Sequence, residues 1–199
     1  MEIGPFYSRE ELLAFGFTKV GSPTWVSRKS SFYAIHGSIG DHVRVDDFCI
    51  LKGHLEIGSY VHIAAFCSLS GVAGVVAMGN CSSIGNRVSI FTGSDDFRAN
   101  SLNSNLVPQE MVSTISGDVR IGIAAMVSAH SVILPGVSVG DAAAVGAQCL
   151  LSHSIEAGTV LVSGAARCIP VGKRDVAKIL ELAAKVMPNS GPGALSEKA

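Results

Sequence analysis

Aromatic side chains make up only 6% of the 199 residues, with a single Trp, and charged ones only 16%. So small a supply of rings argues for a thin core. Charge of neither sign is in excess: 15 basic against 16 acidic side chains leave a net charge of -1, which gives no footing to nucleic acid or an anionic membrane. No apolar run reaches 18 residues, and "MEIGPFYSREELL" lacks the basic-then-apolar build of a signal peptide, so no membrane span is expected. Five cysteines, an odd number, argue against a disulfide framework and for a reducing, cytoplasmic compartment.

What is present is a rhythm. Aliphatic residues recur every six positions at Ile39, Val45, Leu51, Ile57, Ile63 and Leu69, then at Met78, Ile84 and Ile90, and again from Ile121 through Val127, Ile133, Val139 and Val145 to Leu151. A noisier lead-in at Val20, Val26 and Phe32 extends it toward the N-terminus. Neither the period of two of a strand nor the 3.6 of a helix yields six. A coil of three short strands joined by tight corners does, with the aliphatic residue and the small residue four later both pointing into a narrow axis. Residues 18 apart then lie roughly 4.8 Å from one another on successive coils. Gly often follows the aliphatic position, as in "IGDHV", "IGSYV" and "IGNRV", where it is expected to tolerate the backbone of a corner. Cys49, Cys67 and Cys149 all sit four after an aliphatic position, on one face, and read as wall filler.

The ends differ in kind. Ser8 and Glu11 form a capping box ahead of Leu12 and Leu13, which predicts a helical cap over residues 1–17, stopped by Gly16. A solenoid is predicted over 18–170, and the stripe Val176, Ile179, Leu180, Leu182, Ala183 and Val186 predicts a helix within 171–187, ahead of a frayed tail at 188–199. The Ser-, Asn- and Asp-rich stretch from Phe91 to Arg120 cannot fit an 18-residue coil, so 92–117 is expected to loop out of a corner. Long insertions of this kind tend to be functional.

With these features in view, the chain resembles the hexapeptide-repeat acyltransferases, whose fold is an all-β solenoid, a left-handed parallel β-helix. "VRVDDFCIL", "GSYVHIAAFCSLSG", "RVSIFTGSDDF" and "SVILPGVSVGDAAAVGA" look most like bacterial enzymes that acetylate a 4-amino-4,6-dideoxyhexose on a nucleotide carrier, the dTDP-viosamine type, which serve surface-glycan synthesis. The resemblance implies a homotrimer, acetyl-CoA as co-substrate and an acceptor groove between subunits that the inserted loop reaches. O-acetylation of a glycan or glycoside is the alternative. Where related galactoside and maltose O-acetyltransferases place a catalytic His after "TG", this chain has Ser94 and Asp95 after Thr92 and Gly93.

Acyl transfer needs a nucleophile with a free lone pair, a proton relay and stabilisation of an oxyanion. His62 precedes the inward Ile63 and so faces outward, and the resemblance sets it beside the acceptor. It is the candidate base or acceptor ligand, with Asp95 or Asp96 to bind the substrate amine; Asp46 and Asp47 are further sugar or amine contacts. His36 with His54, and His42 with Tyr60, are 18 apart and read as stacked corner residues, while His130 and His153 read as a corner and a solvated residue. The resemblance assigns coenzyme A to Ser128, Gly146 and Ala147 and to a terminal motif here reading Ser163, Gly164, Ala165, Ala166 and Arg167. Ser163 and Ala165 depart from the family's Gly and Pro. Arg167, Lys173 and Arg174 are the candidate partners of the adenosine phosphates. No metal is expected: the carbonic anhydrases that share the coil use a His pair five apart, and the His spacings here are 6, 12, 8, 68 and 23.

Overall fold

The computed structural model describes residues 5–98, 101–102, 106–164 and 168–187. Its body is a parallel β-solenoid of about 7 turns. Three faces can be followed by register. The first stacks Thr24–Val26, Val43–Val45, His62–Ile63, Ser83–Ile84, Met126–Val127, Ala144–Val145 and Thr159–Ser163. The second stacks the leading halves of Ser31–Ile39, Ile50–Ile57 and Ser68–Met78 with Ser89–Phe91, Val132–Ile133 and Leu150–Leu151. The long strands then turn the corner, with register shifts at Tyr33/His36 and Gly53/His54. Their trailing halves join Lys19–Val20, Val119–Ile121 and Ser138–Val139 on the third face.

The inward ladder is the one the rhythm predicts. Every aliphatic position from Ile39 to Leu151 named above is no more than 3% exposed, and so are Val43, Cys49, Val61, Cys67, Val88, Ala125, Val137 and Cys149 four residues later. Burial raises the Cys149 thiol to about 12. The Cys67 thiol is pushed upward by its hydrogen bond with Cys49 and by burial. Neither is a thiolate at neutral pH, which fits wall filler.

The glycines that follow the aliphatic positions do a different job from the one expected. Most left-handed corner positions carry other residues, His42, Phe48, Tyr60, Phe66, Cys81, Arg87, Ala124, His130, Ala142 and Gln148, all with φ between 53 and 63°, and only a few such as Gly136 and Gly158 carry glycine. Gly40, two residues before such a corner, has an ordinary φ. A Cβ there would lie 2.6 Å from the Gly58 carbonyl carbon and the Ser59 nitrogen, so glycine is required because the next coil is too close for a side chain.

The step between coils is 18 residues at Arg44↔His62, 21 at His62↔Ser83, 43 at Ser83↔Met126 and 18 again at Met126↔Ala144. The first lengthening is a bulge at Val72–Gly74 opposite the Gly53/His54 shift. The second is the insertion. It begins and ends as an antiparallel ribbon in which Gly93–Asp95 pairs with Thr114–Ser116, while the coils on either side pair directly across it.

Helix α1 (Arg9–Ala14) begins with the expected box: Glu11 N donates to Ser8 Oγ at 3.2 Å and Ser8 N donates to Glu11 Oε2 at 2.7 Å. Leu12 is fully buried against the first coil. Helix α2 (Val176–Val186) is capped by Asp175, whose side chain accepts from Lys178 N at 3.0 Å. Residues 171–173, expected in this helix, instead finish the strand Cys168–Lys173, which runs antiparallel to Thr159–Ser163. Gly172 and Lys173 pair with Val160 and Thr159, so the ladder holds the chain extended until Asp175 provides a cap. No helix among the described residues is long and apolar enough to cross a membrane. The segment 188–199 lies outside the described residues.

Candidate active site

The first face carries an outward row in strict register, Trp25, Arg44, His62, Ser83, Met126, Ala144 and Val160. His62 faces out, as its place before Ile63 requires, and half of its side chain meets solvent. Its Nε2 lies 2.9 Å from Asp46 Oδ2, and Arg44 Nε donates to Asp46 Oδ1 at 2.7 Å. Asp46 therefore anchors both its coil neighbour and a residue one coil on. Burial pulls the Asp46 carboxyl upward, but the hydrogen bonds from Arg44 and His62 outweigh it, so the group is held below the ordinary aspartate value. It is an acceptor at neutral pH. A neutral His62 must then carry its proton on Nε2, which leaves the Nδ1 lone pair free.

Asp47, the other half of the pair, turns elsewhere. Its Oδ1 accepts from the Ser27 hydroxyl and its Oδ2 pairs with Lys29 Nζ at 2.7 Å. The remaining histidines follow the stacking pattern: the His36 and His54 ring centroids are 4.6 Å apart, and those of His42 and Tyr60 are 4.5 Å apart and nearly parallel. His130 is an exposed corner residue, and exposed His153 meets the Ser152 hydroxyl at 3.0 Å.

Asp95 and Asp96 stand where the insertion leaves the solenoid. Thr92 fixes the base of that ribbon: its buried hydroxyl donates to Ser70 O at 2.8 Å and accepts from Ala73 N, and Gly117 N donates to Thr92 O. Asp95 sits in the ribbon opposite Thr114, and Asp96 pairs with Arg98 at 3.4 Å. The ribbon emerges between the second and third faces, opposite the first face in a three-sided coil. One protomer thus does not bring His62 and the acidic pair together, and the carboxylate that His62 does meet is Asp46.

The donor candidates divide between two corners. Ser128, Gly146 and Ala147 lie at the corner between the first and second faces, where Ser128 N donates to Val145 O and Gly146 N to Leu161 O. A Cβ on Gly146 would stand 3.0 Å from Leu161 O, so the coils approach closely there. Ser163 pairs with Cys168 in the terminal hairpin. Lys173 and Arg174 go to the corner between the third and first faces: Lys173 Nζ meets Glu156 Oε2 at 2.9 Å, and Arg174 Nη1 donates to Ala142 O at 2.9 Å. Ala165, Ala166 and Arg167 lie outside the described residues.

Sequence reasoning missed Arg44 as a member of the His62 constellation. The signal was available, since Arg44 is 18 residues before His62 and so stacks directly beneath it.

No protein-family model matches the chain. Among curated proteins it is 35% identical over 184 residues to a dTDP-4-amino-4,6-dideoxy-D-glucose acyltransferase of Escherichia coli, covering 90% of this chain and 94% of that one. Among solved structures it matches AntD, an N-acyltransferase from Bacillus cereus in complex with dTDP and 3-hydroxybutyryl-CoA. The TM-score is 0.84 at 34% identity, over 94% of this chain and 98% of that one. A variant of AntD bound to dTDP-4-amino-4,6-dideoxyglucose and coenzyme A matches with a TM-score of 0.83 at 36% identity, over 95% and 100% of the two chains. With sequence and fold in agreement over nearly the whole length, the chain belongs to the family of dTDP-4-amino-4,6-dideoxyglucose N-acyltransferases.

Proposed function

We propose that this enzyme transfers an acyl group, acetyl or larger, from a coenzyme A thioester to the 4-amino group of dTDP-4-amino-4,6-dideoxyglucose. The full-length relation to one enzyme named for that sugar and to an N-acyltransferase with the sugar bound carries the reading. The amine lone pair attacks the thioester carbonyl, and the tetrahedral intermediate collapses with loss of the coenzyme A thiolate. His62 Nδ1 takes the proton the nitrogen sheds and returns it to the thiolate. Asp46 holds the ring in the tautomer that frees Nδ1 and steadies the imidazolium, a role its ionised, doubly hydrogen-bonded state suits. A neutral amine is already a good nucleophile, so the missing His after Thr92 and Gly93 fits an N- rather than an O-acceptor.

The working unit in this reading is a trimer, with Asp95 or Asp96 of one subunit completing the groove at His62 of the next. The second face presents a row without charge, Ser31, Ile50, Ser68, Ser89, Val132 and Leu150 in register, whereas the third presents Lys19, Glu56 and Arg120. Coenzyme A lies along the corner of Ser128, Gly146 and Ala147, with Ser163 beside its path and Arg167 for its phosphates, while Lys173 and Arg174 stand at the other corner of the same face, tied to Glu156 and Ala142. The enzyme works in the cytoplasm on a surface-glycan precursor.

The test is a panel of dTDP- and UDP-linked amino sugars and their hydroxyl counterparts, incubated with acetyl-CoA and longer acyl-CoAs. Free thiol and product mass are read. The expected result is thiol release and an amide only with 4-amino sugars; an ester on a hydroxyl acceptor would overturn the reading.

A further inference from the structure

Helix α2 folds back along the first face without lying flat on it. Between them runs a groove of about 360 Å³, with Ser83 and Met126 on the solenoid side, Ile179, Leu182 and Val186 on the helix side, and Arg174 among its lining. Its floor continues the row that holds His62, since Ser83 pairs in register with His62 and Met126 with Ser83. The groove is therefore the next space along from the ring that handles the proton.

Its character is apolar but wet. Met126, Leu182 and Val186 line it while 42%, 53% and 47% exposed, so large hydrophobic side chains border a space open to water. A guest with methylene groups would remove that surface from water, which is favourable in proportion to area. The volume suits a small molecule and not a protein segment. Arg174, whose Nη1 is tied to the Ala142 carbonyl, adds a fixed cation to the lining, suited to a guest attached to an anionic carrier.

We infer that this groove receives the acyl chain of the thioester donor, and that Met126 and Leu182 set a preference for chains longer than acetyl. The inference rests on the acyltransferase reading and adds the donor's class. No new chemistry is involved, because the chain lies beyond the reacting carbonyl and only its binding changes.

Calorimetric titration of the full-length protein with acetyl-, butyryl- and hexanoyl-CoA, in the absence of acceptor, tests this. Each buried methylene is worth about fourfold in affinity, so butyryl-CoA, with two more, should bind about fifteenfold more tightly than acetyl-CoA. Leu182→Trp and Met126→Trp, each filling the groove from one side, should bring butyryl-CoA down to the affinity of acetyl-CoA. Leu182 is half in solvent on one face of α2, so its replacement should fold, as a thermal melt verifies. Equal affinity for the three thioesters in the native protein, or a chain-length preference that survives in folded Leu182→Trp, overturns the inference alone. Binding of none of them overturns the donor reading and this inference together.

Discussion

At the residue scale the informative group is His62. Its outward direction was legible from its place before Ile63, because a six-residue coil fixes which positions face out. Asp95 and Asp96 were read as ligands of the substrate amine, and no hydrogen-bond partner was named for the His62 ring itself. The structure gives the ring Asp46, read from sequence only as a sugar or amine contact, because stacking brings residues one coil apart within hydrogen-bond reach. Replacing His62 with Ala should lower turnover by about 10²-fold or more if Nδ1 is the base, without unfolding a solenoid into which it does not point. The residual rate should rise with pH through the pKa of the acceptor amine, read from initial rates of thiol release. Asp46 gives a second, pH-dependent expectation. Its folded pKa is depressed, so its contribution to stability is complete above the ordinary aspartate value and is lost as pH falls through the folded one. Denaturant melts of the native protein and Asp46→Asn should therefore differ at neutral pH and converge in the acid range.

At the scale of elements the repeat was legible because it concerns only which residues point inward, and the aliphatic positions all do. The capping box of α1 was legible because it is local, three residues of sequence enclosing two hydrogen bonds. The division of labour at the corners was not, since a close approach between coils is a property of two distant stretches of chain. It leads to an expectation that a backbone-only view would miss. Gly40→Ala keeps an allowed φ yet drives a methyl into the Gly58 carbonyl carbon and the Ser59 nitrogen. The cost should be of the order of overpacking, about 1 to 3 kcal/mol, measured by urea unfolding. The strand Cys168–Lys173 was hidden for a similar reason: "CIPVGK" has no alternation of its own and is extended because Thr159–Ser163 offers it a ladder.

At the scale of the whole molecule, one chain places His62 on one face and the acidic pair across the prism from it, so a shared groove requires assembly. Light scattering should give about three times the 20.6 kDa chain mass. A sharper expectation follows for mixtures. His62→Ala and Asp95→Asn subunits, each weak alone, should regain activity when unfolded and refolded together, because some mixed trimers contain an interface with both native groups. Absence of any recovery would mean that each chain builds its own site. The inserted ribbon has a consequence for the integrity of the chain. Because Ser83 pairs directly with Met126, Met78 with Ile121 and Ser89 with Val132, the two halves of the solenoid are joined by ladder hydrogen bonds on all three faces, and the covalent link between them leaves and re-enters through the ribbon of Gly93–Asp95 and Thr114–Ser116. A protease that nicks the polypeptide between the ribbon's two strands would leave two fragments on a denaturing gel and one particle of unchanged mass in native solution.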